Sequence, residues 1–220
     1  MSAFANFAED RLLIRRTSPV IHNITNYVAM NFCANSLLAL GALPIMSSEP
    51  AEMEELVSSS QALVINIGCI ESLQFDAMLC AARKAAALGR PWVLDPVGAG
   101  LSRFRPRAAL ALAELGPAVI RGNASEILAL CREAGVKTAI LPPEEPSCEL
   151  RGAKTPILPP DGPSCELRGA KTAILPPDGP HGVDSSVQST DAADAAAALA
   201  RKEGCVVVVS GAVDIVTDGV

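Results

Sequence analysis

Aromatic residues make up only 3% of this 220-residue sequence, with a single Trp and a single Tyr. A core built with so few rings has to come from Ala, Leu, Val and Ile, which suits helices packed on a buried sheet. Basic clusters are missing too: 18 Lys and Arg face 24 Asp and Glu, for a net charge of −6. Sequence-independent nucleic-acid binding needs a basic surface and often stacking rings, so no nucleic-acid partner is expected. A polyphosphate ligand is not excluded, because backbone N–H groups, one or two basic side chains and a divalent cation can outweigh the overall field locally. With only His22 and His181, a histidine-rich metal site is ruled out. The seven cysteines show no Cys-x-x-Cys spacing; free thiols and a cytoplasmic, reducing location are the expectation. No apolar run approaches the ~20 residues that span a bilayer, and Glu9 and Asp10 precede the basic pair Arg15-Arg16, the reverse of a signal peptide. A membrane role is therefore not expected. A Gly-x-x-x-x-Gly-Lys-Ser/Thr loop is absent, which excludes a P-loop kinase.

Half of the residues are hydrophobic and 19% are charged, a globular balance. Helical spacing runs from Ala3 to Arg16. Val20–Ile24 reads as a short strand or loop, and Thr25 as the N-cap of a helix ending at Gly41, a C′ glycine. Leu43–Met46 is extended, and Ser48 with Pro50 and Glu52 opens another helix. From Ala62 the pattern becomes regular. Ala62–Ile67, Pro91–Leu94, Ala118–Ile120 and Cys205–Val209 are apolar runs that suit strands buried on both faces. Helices at 71–88, 107–115, 125–134 and 191–203 separate or follow them, and a further strand begins near Asp214. Such alternation predicts βαβ units around a parallel sheet with right-handed connections.

A tandem repeat interrupts this pattern. The segment Gly135–Pro143 recurs in closely similar form from Gly152 and from Gly169, and ten of the 17 prolines lie between Pro142 and Pro180. Paired prolines remove donors and stop helices, so residues 135–181 are expected to form an exposed, partly extended or disordered insertion, rather than a solenoid, in a single domain spanning 1–220.

In an open parallel sheet, ligands gather at the carboxyl ends of the strands. Those ends read Asn66/Gly68, Asp95/Gly98/Gly100, Arg121/Asn123/Glu126 and Ser210/Gly211. Asp95 could hold a hydrated cation while the glycines let a phosphate approach, or it could simply cap a turn. Arg121 can fork onto phosphate oxygens. Asn123 and Glu126 read equally as a capping box. Met46 by itself reads as a core methionine, Cys33, Cys69 and Cys205 as small core residues, and His22 as a satisfied polar residue near the rim.

Taken in order, Ser18–Phe32, Leu38–Met46, Leu94-Asp-Pro-Val-Gly-Ala-Gly100, Val119-Ile-Arg-Gly-Asn-Ala-Ser-Glu126 and Val209–Asp214 resemble the hydroxyethylthiazole kinase family. The resemblance implies a ribokinase-like three-layer α/β sandwich, a mostly parallel central sheet with helices on both faces. It implies transfer of the ATP γ-phosphate to the hydroxyl of 5-(2-hydroxyethyl)-4-methylthiazole, in thiamine biosynthesis, with Mg²⁺. Met46, Asn26 and Gly68 would line the alcohol pocket; Arg121, Ser210 and Asn123 would contact ATP; Asp95 and Glu126 would organise the metal. A homotrimer with active sites between subunits is implied as well. The family's catalytic Gly-x-Gly-Cys turn is expected beyond Val220, so the sheet is expected to be incomplete at its C-terminus and no catalytic residue is assigned within the chain. The other reading from the sequence is a non-catalytic fragment that binds nucleotide weakly or acts as an assembly partner.

Overall fold

The computed structural model describes residues 3–136 and 187–220. All but the first two residues of the expected 135–181 insertion fall outside them, as do His181, Cys148 and Cys165. The described residues form one seven-stranded sheet. Its strands are β1 (Val20–Ile24), β2 (Leu43–Met46), β3 (Ala62–Asn66), β4 (Trp92–Asp95), β5 (Val119–Asn123), β6 (Val206–Ser210) and β7 (Ile215–Thr217). They lie in the order β2-β1-β3-β4-β5-β6-β7. Every neighbouring pair is parallel except β6 and β7.

The helices are α1 (Ala3–Thr17), α2 (Met30–Leu40), α3 (Met53–Ser59), α4 (Ser72–Ala87), α5 (Phe104–Ala113), α6 (Ala124–Glu133) and α7 (Ala193–Glu203). From β2 through β6 the chain steps across the sheet in one direction, so right-handed crossovers lay α3 to α7 on one face, where successive helices touch. The step from β1 to β2 runs the other way, which puts α2, with α1 against it, on the opposite face.

Side chains alternate along each strand. Leu63, Ile65, Trp92, Leu94, Ile120, Val207 and Val209 point toward α3–α7 and are at most 1% exposed. There they meet an alanine-rich layer including Ala81, Ala82, Ala109, Ala195 and Ala196, so small residues replace the missing rings. On the other face Val64, Val93, Val119, Val206 and Val208 are only half-buried. Burial on both faces, expected from the apolar runs, is thus corrected: among the described residues the helices load one face of these strands.

Three helix starts also differ from the sequence reading, one of them at Pro50, where Glu49 rather than Ser48 is the cap, its side chain accepting from Ala51 N at 3.2 Å. Thr25 is not an N-cap. It is buried at the tip of β1, and α2 begins five residues later. Asn26 starts the intervening turn instead, its Oδ1 accepting from Ala29 N at 2.9 Å. Gly41 does end α2, at φ 103° with its N–H on the Leu37 and Leu38 carbonyls. Helix α5 begins at Phe104 rather than Arg107, because Pro106 falls within the first turn, where it costs no hydrogen bond. Cys33 and Cys69 are half-buried rather than core residues, while Cys205 is buried; all three are free thiols.

Candidate active site

Strand register brings the site together. Asn66 pairs with Asp95, and the β4–β5 register, continued by one residue, sets Asp95 level with Arg121. By alternation these three side chains share the face opposite α3–α7, a polar row across β3, β4 and β5. One step toward the carboxyl ends, Asn123 pairs with Ser210 on the same face. Beneath the polar row, Val64, Val93 and Val119 form an apolar one. The acid, the guanidinium and the amide are therefore neighbours because the apolar runs of β3, β4 and β5 stop at matched heights.

The row lies beside the switch point of the sheet. From β1 the chain turns to β2, and from β3 it turns the other way to β4, which opens a crevice between the carboxyl ends of β1 and β3. Asn26 and Gly68 occupy it. Asn26 Nδ2 donates to Asn66 Oδ1 at 2.8 Å, and Gly68 N donates to the same oxygen at 3.0 Å. Gly68 has no room for a side chain: a Cβ would stand 2.8 Å from Asn26 Cβ. Asn66 Nδ2 donates to Asp95 Oδ2 at 2.9 Å. Arg121 Nη1 stands 3.9 Å from the same oxygen, a loose pair with a half-exposed guanidinium.

Burial, reinforced by the nearby Glu126 charge, pushes Asp95 up to about 6; Arg121 and the Asn66 hydrogen bond oppose the shift. Glu126 is 5% exposed. Its Oε1 accepts from Gly98 N at 2.8 Å and its Oε2 from Asn123 N at 2.9 Å, while Asn123 Oδ1 accepts from Glu126 N. The capping box is real, and the same carboxylate ties the glycine turn after β4 to α6. Ser210 Oγ donates to Gly122 O at 3.2 Å, joining the tips of β5 and β6.

Met46 is one strand from β1, which leads to Asn26, but lies far across the sheet from Asp95 and Ser210. It ends the edge strand β2 opposite Asn23. Three strand spacings separate β2 from β4, or about 14 Å, and five separate it from β6, or about 24 Å. His22 is fully buried, with Nε2 on Ser47 O at 3.1 Å, and burial lowers its pKa.

Two side chains of the site carried no role in the sequence reading. Asn66 is one; an amide closing the apolar run 62–67 was the available signal. Arg105 is the other. Its guanidinium donates to the carbonyls of Ile67, Val97 and Gly68 at 2.9, 3.0 and 2.8 Å, pinning the loops after β3 and β4. A cation in the first turn of a helix opposes the helix dipole, which marks it as needing a partner.

A hard cation fits this arrangement. Asp95 Oδ1 is buried with no hydrogen-bond partner, an acceptor that a metal or a metal-bound water would satisfy. No cluster of three or more His, Cys, Asp or Glu exists among the described residues. Mg²⁺ is a hard cation of this kind: it keeps several waters and takes one or two carboxylates together with substrate phosphates.

The hydroxyethylthiazole kinase family model matches residues 12–140 and 172–220. The chain belongs to the hydroxyethylthiazole kinase family. A hydroxyethylthiazole kinase of Oleidesulfovibrio alaskensis is 44% identical over 207 residues, covering 94% of this chain and 62% of that protein. One from Leptospira biflexa is 39% identical over 215 residues, covering 97% and 64%. The solved structure of the hydroxyethylthiazole kinase protein of Pyrococcus horikoshii superposes with a TM-score of 0.70 at 34% identity, covering 96% of this chain and 63% of that one. The chain thus spans about three-fifths of the length of these relatives. Its α/β class, with a mostly parallel central sheet, agrees with the sequence reading. Among the described residues, no helix is long and apolar enough to cross a membrane.

Proposed function

We propose that this hydroxyethylthiazole kinase family chain is a cytoplasmic enzyme that acts in thiamine biosynthesis, binding ATP and 5-(2-hydroxyethyl)-4-methylthiazole and directing the γ-phosphate onto the thiazole's hydroxyl. The observation that carries the reading is the polar row Asn66–Asp95–Arg121, hydrogen-bonded through Asn66 to Asn26 and Gly68 in the switch-point crevice. Asn26 and Gly68 hold the alcohol. Arg121, half-exposed and loosely paired, turns its fork to phosphate oxygens, with Ser210 and Asn123 bordering the nucleotide on the next strand tip. Asp95, through Oδ1, and Glu126, through water, would hold Mg²⁺, which would supply positive charge to offset that of the phosphates. The residues named here bind and orient; phosphoryl transfer depends heavily on such positioning.

Met46 enters from a neighbouring subunit. Reacting atoms must approach to roughly 3.5 Å, and ~14 Å of sheet separates Met46 from Asp95 in its own chain. The surface around β2 supports assembly, as the homotrimer expected from the family requires. α2 has no buried residue, and Phe7, Tyr27, Val28 and Phe32 are 62–90% exposed; apolar surface gathered on one side marks a protein contact.

Calorimetric titration of the chain with the thiazole alcohol, with and without Mg²⁺ and ATP, tests the proposal, together with a radiolabelled phosphate-transfer assay. Saturable alcohol binding that tightens with the metal nucleotide, and phosphorylated thiazole as product, are expected. Failure to bind the thiazole under either condition would overturn the reading.

A further inference from the structure

Asn66 is the joint between the two halves of the site, and its amide can be oriented without ambiguity. Backbone N–H groups only donate. Ala29 N points at Asn26 Oδ1, which turns Asn26 Nδ2 toward Asn66. Gly68 N points at Asn66 Oδ1, which turns Asn66 Nδ2 toward Asp95. Donation therefore runs one way, from the turn before α2 through two side-chain amides to the carboxylate. Asn66 is 7% exposed and Asn26 9%, so water competes little for these bonds. By occupying Asp95 Oδ2, Asn66 leaves Oδ1 as the buried oxygen without a partner.

We propose that Asn66 is a positioning residue for both ligands: its Nδ2 aims the Asp95 carboxylate so that Oδ1 meets the metal, and its Oδ1 sets Asn26 and Gly68 for the alcohol. The inference rests on the kinase reading above. Hydrogen-bond partners of metal-ligating groups typically govern ~10–100-fold in metal affinity. Because one amide serves both sites, filling either site changes the affinity of the other, and the coupling is reciprocal.

The test compares the wild-type chain with Asn66→Ala, the near-isosteric Asn66→Leu, and Leu199→Ala in the α7 core as a control for lost stability. Mn²⁺ binding in the presence of a non-hydrolysable ATP analogue is read from the electron paramagnetic resonance of free Mn²⁺, with and without the thiazole alcohol; alcohol binding is read by calorimetry. Both Asn66 variants are expected to weaken Mn²⁺ ~10–100-fold, to weaken the alcohol, and to lose the effect of one ligand on the other. Leu199→Ala is expected to lower the melting temperature while leaving both affinities and their coupling in place. Wild-type affinities and coupling in Asn66→Leu, or an equal loss in Leu199→Ala, would overturn the assignment of Asn66 alone. A wild-type chain that binds neither ligand would overturn the kinase reading and this inference with it.

Discussion

Replacing Asp95 by Asn should change how stability depends on pH, and the size of the change follows from the site. Its carboxyl group titrates at about 6 in the folded protein against an ordinary 3.8, chiefly because it is buried and secondly because Glu126 is near. A raised carboxylate pKa means that the native state keeps its proton after the unfolded chain has released it. Between those two values the unfolded state binds fewer protons, so stability falls as pH rises. The contribution is fully present below the unfolded value and lost once pH has passed the folded one. A shift of ~2 units at 1.36 kcal/mol each is about 3 kcal/mol, and with Asp95 only 19% exposed little of it is screened. Asn cannot ionise, so the variant escapes this loss. Its amide brings a separate cost, an unpartnered donor where Oδ1 stood, of about 1–3 kcal/mol. That cost is the same at every pH and cancels in a comparison between pH values. Urea unfolding of both proteins at pH ~3 and pH ~8 should show the variant gaining about 3 kcal/mol relative to wild type. For a chain of this length that corresponds to about 6–12 °C in melting temperature. A stability difference that stays constant with pH, or moves the other way, would refute the argument.

Arg105→Ala removes three donors from the Ile67, Val97 and Gly68 carbonyls and should cost about 2–4 kcal/mol in urea unfolding; Lys at this position should recover little, since an ammonium lacks the planar fork. Gly68→Ala drives a methyl to within 2.8 Å of Asn26, so thiazole affinity should fall by more than tenfold in calorimetry while the fold persists, and an unchanged affinity would remove Gly68 from the pocket. Glu126→Gln deletes a charge that raises Asp95, so the Asp95 carboxyl, followed by carbon-13 NMR, should titrate below 6; the fold should lose about 1–3 kcal/mol, because one of two acceptors facing Gly98 N and Asn123 N becomes a donor. Phe32→Asp, on the exposed side of α2, should shift the chain to a smaller species in analytical ultracentrifugation, and an unchanged sedimentation coefficient would put the contact elsewhere.

Sequence reading located the elements well because apolar runs and glycine stops are local signals. The run 62–67 became β3, the cap at Gly41 held, and the Asn123–Glu126 spacing formed its box. It failed where a choice depended on tertiary partners. Thr25 has the chemistry of an N-cap, yet pairing in the sheet carried the extended chain past it and left the turn to Asn26. Apolar residues on both faces of β3 to β6 read as equally buried, although only the set holding Leu63, Trp92, Ile120 and Val207 meets α3–α7. The rim residues were legible as a group because every parallel strand ends polar. Their connections were not: the Asn26–Asn66–Asp95 chain joins segments 40 and 29 residues apart, and only sheet order and register make them adjacent. Arg105 stayed hidden for the same reason, since its partners are backbone oxygens that carry no sequence label.

Charge at the rim constrains how a nucleotide would arrive under the kinase proposal. Two carboxylates, Asp95 and Glu126, stand at the rim, Glu126 already raises Asp95, and of the two guanidiniums Arg105 is committed to backbone carbonyls, which leaves Arg121. A bare triphosphate would add more negative charge and drive a proton onto Asp95, discarding the acceptor that a cation needs. Nor is the start of α6 open as an anion cradle, because Asn123 and Glu126 spend their own side chains on backbone amides there. Arg121 by itself cannot offset a triphosphate. Under the kinase proposal, the site would therefore favour a nucleotide that brings its cation with it: the metal would convert Asp95 from a repelling group into an anchor, and the hydrogen bond from Asn66 would leave Oδ1 as the oxygen for it.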